Sequence, residues 1–460
     1  MADTVSPQRL ISLDVFRGMT IAGMVLVNNP GTSPVYWPLD HAEWNGLTPT
    51  DWIFPFFLFI VGVSISISLG RRSEPSASAE GQSVQRRSRG AFGKILIRAA
   101  SIYLLGQAVS VLPFFQFQSS DAPDPLKLLV WLVLAAALLF LLLRKYYIAA
   151  GLLAVGLLGI AAFNLAGYNI ISYNYSTLRI AGVLQRISDC YLVTAIVFLH
   201  TNWKQQVGIS IFLLLAYWLV MTVIPVPGCE ITTVSDKACN LAAYIDRSIL
   251  TEAHIWRNGK VFDPEGILST IPAIVTTISG VLTGSWLMHV GKGHASDDET
   301  SDSSLVTRHL SLDRVSAMFF FGVVLLALGL IWNSYFPMNK SLWTSSYVLA
   351  TTGLALLVLG ACYWLIDIKG YVKWAWPFRV FGANALALFV FTGLFARMIA
   401  AYRVTGPDGQ LISVQRWVMN NIFLPVAQPI DASWMFAVSF ILLWLFLMWL
   451  LYRKNIFVKV

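Results

Sequence analysis

The sequence predicts an all-α fold: a polytopic bundle of about twelve membrane-spanning helices with both termini in the cytoplasm. Three observations predict it. The 460 residues are 57% hydrophobic and only 12% charged, with a mean hydropathy of +0.66, whereas soluble domains carry about 25% charged residues. Twelve apolar stretches approach or exceed the roughly 20 residues that a spanning helix needs. With the N-terminus inside, 21 of the 32 Lys and Arg fall on the cytoplasmic side and 10 outside, leaving Arg186 within a span. That asymmetry is the positive-inside pattern. The net charge of +8 is thereby explained by the membrane, and no nucleic-acid partner is expected.

The first span, 11–28, carries Asp14 and Arg17, and no small-residue cleavage site follows it, so a removed signal peptide is not expected. The second, 50–70, opens on Thr48-Pro49-Thr50-Asp51. Here Thr48 can be the N-cap, Pro49 takes the first helical position and Asp51 completes a capping box. The Ser- and Arg-rich stretch 71–90 reads as a cytoplasmic linker that extends to 93. The third span, 94–113, begins on Lys94 and includes Arg98. Only Arg144 and Lys145 separate 126–144 from 146–167, and the two together are too long for one crossing, so a tight helical hairpin is predicted.

Span 180–200 is bracketed at its start by Arg179 and Arg186, and 205–225 follows. The loop 226–265 exceeds a simple connector and is expected to form an outside cap. Its Cys229 and Cys239 lie where oxidation is permitted, so they can form a disulfide. Cys190 and Cys362 fall in apolar segments and read as small buried hydrophobes. Asp263-Pro264-Glu265-Gly266 opens span 266–290, with Asp263 as cap and Glu265 favoured by the helix dipole. A second polar stretch, 293–304, reads as another linker. Spans 314–334, 343–366, 377–400 and 433–452 complete a single membrane domain over 1–460, without an internal repeat.

Asp14 and Arg17 are three residues apart, so they share a helix face and can pair. Such a pair serves either the structure or an anionic ligand. His41, in the first outside loop, can act as base, acid or acyl carrier, although a lone loop histidine is ordinarily only solvated. Arg186, several residues inside an apolar stretch, needs an acidic side chain or a phosphate. Asn384, within a span, reads as an interhelical hydrogen-bonding group. There is no P-loop, HExxH, GxSxG or cluster of metal ligands. Nucleotide-driven pumping and metal-dependent hydrolysis thus have no support, and no metal is expected. Channel, transporter and membrane-embedded transferase all remain open on these residues alone.

Longer motifs narrow the choice: Asp14-Val-Phe-Arg-Gly18, Val27-Asn28, His41-Ala-Glu-Trp-Asn-Gly-Leu47, Leu178-Arg-Ile-Ala-Gly-Val-Leu-Gln-Arg186, Ala243-Tyr-Ile-Asp-Arg247, Asp263-Pro-Glu-Gly-Ile-Leu268 and Asn339-Lys-Ser-Leu-Trp343. In this order the chain resembles the heparan-alpha-glucosaminide N-acetyltransferase family and its bacterial relatives. The resemblance implies transfer of acetyl from cytoplasmic acetyl-CoA, a co-substrate, to the amine of a glucosamine-type sugar outside. It places the catalytic histidine on His41, with Asn28 as a donor to the oxyanion and Asp51 as a further catalytic residue. Arg17, Asp14, Lys94, Arg98, Arg186 and Arg179 would serve acetyl-CoA. Trp44, Asn45, Glu265, His254, Asn339, Lys340, Trp343 and Asn384 would line the sugar site.

The hairpin at 126–167 and the short N-terminal region depart from the lysosomal enzyme. They lead to the expectation of a bacterial-type relative in the cytoplasmic membrane. A homodimer is left open by the resemblance. Two other readings stand beside it: a sugar transporter or uptake accessory protein without chemistry, and an O-acetyltransferase of an envelope polysaccharide.

Overall fold

A computed structural model describes residues 10–70, 82–289 and 303–458. Residues 71–81 of the expected linker 71–93, and 293–302 of the expected linker 293–304, lie outside them. Helix α1 (Ile11–Asn28) is followed by a 3-10 turn, Pro49–Trp52, that leads into α2 (Ile53–Gly70). Helix α3 (Gln82–Val111) begins earlier than expected, so the second half of the predicted linker is helical. Helices α4 (Asp124–Leu142) and α5 (Tyr146–Leu165) form the predicted tight hairpin, turning at Arg144 with φ +59°.

Next come α6 (Val183–His200), α7 (Trp203–Val223), the cap helix α8 (Leu241–Leu250), α9 (Thr270–His289), α10 (Ser303–Trp332) and α11 (Ser345–Cys362). The last part holds α12 (Trp376–Ala383), α13 (Ala385–Ala401), a hairpin of β1 (Arg403–Thr405) and β2 (Leu411–Ser413), the short α14 (Val414–Val418), and α15 (Pro429–Arg453). Among the described residues, 11 helices are long and apolar enough to cross a membrane, and the bent pair α12–α13 passes the same test when taken together, as a broken span or a re-entrant loop. The chain is a polytopic helical membrane protein.

One predicted span differs in shape. The stretch 377–400 is broken at Asn384 by an 83° bend. The Asn384 side chain donates through Nδ2 to the Ile456 carbonyl (3.0 Å), and its Oδ1 accepts the Val458 N–H (2.8 Å). Both amide groups therefore hold the C-terminal tail where the helix turns.

Burial separates the centre of the bundle from its rim. Helices α2, α9 and the α11 segment each bury 61% of their most apolar window, against 17% for α5. The central pair α2–α9 is close because glycine permits it. A Cβ at Gly62 would fall 1.9 Å from the Thr277 carbonyl oxygen, and one at Gly280 would fall 1.9 Å from that of Phe59. Small residues at such crossings let backbones meet where lipid supplies no hydrophobic drive between helices.

The bundle has two chemically different ends. At one, Asp367 receives the Ile11 and Ser12 N–H groups (3.2 Å each), and α12 lies against α1 beside the tail. At the other, the loop after α1, the cap 226–269 and the turn before α11 converge. Eighteen helical residues of α1 separate them, about 27 Å.

Candidate active site

The site is built from the turn that precedes α2. Thr48 ends the loop in extended conformation and Pro49 starts the 3-10 turn, which buries Asp51 to 1% exposure. The two oxygens of Asp51 have different partners. Oδ2 accepts the N–H groups of Thr48 (3.1 Å) and Ala42 (3.2 Å), which is the capping role expected from sequence. Oδ1 lies 2.7 Å from Nδ1 of His41. A proton on Nδ1 donated to Asp51 leaves the lone pair on Nε2. The His41 side chain is 47% exposed, so a partner can reach it from outside the bundle.

A third ionisable group completes the cluster. Lys340 Nζ lies 3.0 Å from Nδ1 and 3.3 Å from Nε2 of His41, and 3.5 Å from Oδ1 of Asp51. Burial pulls the Lys340 pKa below the ordinary lysine value, with the Asp51 and Glu265 carboxylates pulling the other way. Asn339 fixes the turn that carries it. Fully buried, Asn339 accepts the Leu342 N–H (2.9 Å), and its N–H donates to Thr344 Oγ1 (3.0 Å). Its Nδ2 donates to Asn45 Oδ1 (3.0 Å). Asn339 therefore positions Lys340 from inside the fold, with both ends of its side-chain amide engaged there.

Trp44 and Asn45 join the His41 loop to the cap. Trp44 Nε1 donates to the Val234 carbonyl (2.9 Å) and its ring meets Phe262 edge-on at 4.8 Å; Asn45 Nδ2 donates to Ser235 Oγ (3.1 Å). The cap is closed by a disulfide between Cys229 and Cys239. Its helix α8 presents Asp246, which the sequence reading passed over although it lies in the Ala-Tyr-Ile-Asp-Arg motif. Asp246 Oδ1 accepts the Ile267 N–H (2.9 Å), and burial raises its carboxyl to about 6.

Several expected roles change in the structure. Glu265 does not sit at a helix start, because α9 begins only at Thr270. It pairs instead with Arg179, which also binds Asp263 through Nε (2.9 Å) and Nη2 (2.5 Å). Burial alone would lower the Arg179 pKa; the two carboxylates hold it above the ordinary guanidinium value. Arg179 and Arg186 thus lie at the His41 end, away from Arg17, Lys94 and Arg98. Arg186 is 1% exposed, donates to Gly266 O (3.2 Å) and Ser269, and lies under the Trp343 ring at 5.1 Å. Its Nε and Nη1 have no hydrogen-bond partner among the described residues.

Trp343 is a core side chain, 1% exposed, with Nε1 bonded to Thr276. It is not a surface for a sugar. His254 Nδ1 faces the Leu178 carbonyl at 2.6 Å and ties the cap to the segment before α6. Asn384 belongs to the opposite end, where it holds the tail. Asn28, exposed at the last residue of α1, makes no hydrogen bond to His41 among the described residues.

At the opposite end, Arg17 Nε donates to the Gly382 carbonyl (2.8 Å) and Nη2 to Asp14 (2.8 Å). Lys94 and Arg98 are exposed one turn apart on α3, and Arg98 stacks over Tyr191 at 5.3 Å.

A many-spanning membrane bundle with a histidine–carboxylate–lysine cluster at one end is the class that fold and site define. Comparison with known proteins places the chain further. It is similar to heparan-alpha-glucosaminide N-acetyltransferase of Homo sapiens, 26% identical over 499 residues that cover 99% of this chain and 60% of that protein. It is also similar to heparan-alpha-glucosaminide N-acetyltransferase of Mus musculus, 26% identical over 428 residues, with 84% and 53% covered. The resemblance read from the motifs therefore extends along the whole chain, which spans about half to three-fifths of the length of these relatives. No protein-family model matches the chain.

Proposed function

We propose that the chain is a transmembrane acetyltransferase of the cytoplasmic membrane, moving acetyl from acetyl-CoA to the amine of a glucosamine-type sugar at the His41 end. The observation that carries this reading is the buried Asp51 bonded to Nδ1 of a solvent-reachable His41, which leaves Nε2 as the base. A base held by a carboxylate in this way keeps its tautomer and gains stabilisation once protonated.

The chemistry follows from that geometry. The sugar nitrogen attacks the thioester carbonyl carbon while Nε2 takes its proton. The carbon–sulfur bond then breaks, and the imidazolium returns the proton to the CoA thiolate. Asp51 stabilises the imidazolium between the two transfers. General base catalysis of this kind contributes about 10²–10⁴-fold. His41 can alternatively carry the acetyl as an acyl-imidazole. No oxyanion role is assigned to Asn28. The exposed Lys94 and Arg98 on α3 are the cations offered to the CoA phosphates at the opposite end, where Arg17 also lies on α1; Arg179, saturated by Asp263 and Glu265, is left out.

The test uses the full chain in detergent with acetyl-CoA and glucosamine. Thiol release and acetylated sugar are followed by mass spectrometry, with wild type beside His41→Ala. N-acetylglucosamine from wild type and none from the variant is the expected result. Sugar binding without product in either protein would favour a transporter, and product on a hydroxyl acceptor alone would favour the O-acetyltransferase.

A further inference from the structure

An amine acceptor for His41 already exists in the chain. For proton transfer to Nε2, a sugar nitrogen has to stand within hydrogen-bond reach of the ring, about 2.6–3.2 Å. Lys340 Nζ stands 3.3 Å from Nε2, just beyond that range as such contacts often are before substrate binds, and 3.0 Å from Nδ1. We propose that Lys340 is itself an acetyl acceptor: when no sugar amine is present, the site acetylates Nζ of Lys340 and blocks itself. The inference rests on the acetyltransferase reading and deepens it.

Three features support it. The turn bearing Lys340 is held by the fully buried Asn339, so Nζ is presented at a fixed place beside the ring. The side chain is 27% exposed, which leaves room on its open side. Burial of the ammonium also raises the share of neutral amine, the nucleophilic form, against the opposing pull of Asp51 and Glu265.

The step balances. A bond forms between Nζ and the acetyl carbon, and the carbon–sulfur bond of acetyl-CoA breaks. One proton passes from Nζ through His41 to the CoA thiolate. The product amide carries no charge beside Asp51 and fills the place of an incoming amine, and unlike an acyl-imidazole it does not hydrolyse readily. A sugar amine competes for the same position, so acceptor protects the lysine.

The test incubates the full chain in detergent with isotopically labelled acetyl-CoA and no sugar. Peptide mass spectrometry then maps acetyl groups before and after hydroxylamine, which cleaves acyl-imidazoles and leaves amides. The expected result is hydroxylamine-stable acetyl on Lys340, labelled or already present after purification. It should fall about tenfold or more in His41→Gln, in His41→Ala and in saturating glucosamine, an effect within the range of general base catalysis. Unmodified Lys340 in protein that acetylates glucosamine would overturn the inference, as would equal acetylation in the His41 variants. If neither lysine nor sugar is acetylated and no thiol is released, the acetyltransferase reading falls and this inference with it. His41-dependent acetylation of Lys340 without sugar product would support the inference and leave the sugar assignment refuted.

Discussion

Asp51 and Asp367 occupy opposite ends of the bundle and do the same backbone task. Each accepts two main-chain N–H groups: Asp51 from Ala42 and Thr48, Asp367 from Ile11 and Ser12. They differ in how the second oxygen is used. Asp367 spends one oxygen on each N–H at the start of α1. Asp51 gathers both on Oδ2 and turns Oδ1 to His41. A cap and, on the proposed mechanism, an orienter of the histidine can therefore be the same carboxylate, and only the geometry of its other oxygen tells them apart.

The largest expected effect breaks that comparison directly. Asp51→Asn should lower turnover about a thousandfold, because an amide neither holds the Nδ1–H tautomer nor stabilises imidazolium. Asp367→Asn should lower thermal stability while leaving turnover near wild type. Rates and melting midpoints of both variants check this; equal rate losses would erase the distinction.

Arg179 and Arg17 sharpen it next. Arg179→Ala strands Asp263, whose side chain is fully buried, together with Glu265, and should cost about 3 kcal/mol. Arg17→Ala breaks contacts that include a bond to the Gly382 carbonyl and one to the partly exposed Asp14 carboxylate, strands no fully buried carboxylate among these, and should cost less. Chemical or thermal denaturation in the same detergent compares the two.

Smaller still is Asn384→Ala, which loses two hydrogen bonds to the tail and should cost about 1–2 kcal/mol. Acetyl transfer per folded molecule should be unchanged, since Asn384 lies at the end away from His41.

The smallest effect is a pH slope in the cap. The folded-state pKa of Asp246 is raised to about 6. Its stabilising contribution is therefore present below the ordinary carboxylate pKa and lost as pH rises through 6. Between pH 5 and 7 that loss is about 1 kcal/mol at ~1.4 kcal/mol per unit. Asp246→Asn should flatten the corresponding change in melting midpoint.

Hydropathy and charge bias carried most of the fold, because lipid imposes length and composition on every span. The break at Asn384 escaped that signal: apolar residues continue through it, and the hydrogen bonds made at the break go to a tail some 70 residues away. Within the site, Asp51 was readable as a cap from Thr-Pro-Thr-Asp, since capping is local. Its contact with His41 was approachable only through the motif. Lys340 meets His41 across 299 positions of sequence, a separation that no periodicity reports. Trp343 and Asn339 carry the polar handles of ligand-binding residues but use them inside the fold.

The proposed mechanism carries acetyl across the bundle to the His41 end. Proteoliposomes of uniform orientation, with acetyl-CoA on one face and glucosamine on the other, measure it most directly. N-acetylglucosamine is expected only when acetyl-CoA is on the face of Lys94 and Arg98 and the sugar on the face of His41. Product formed only with both reagents on one face, or none in either arrangement, would contradict it.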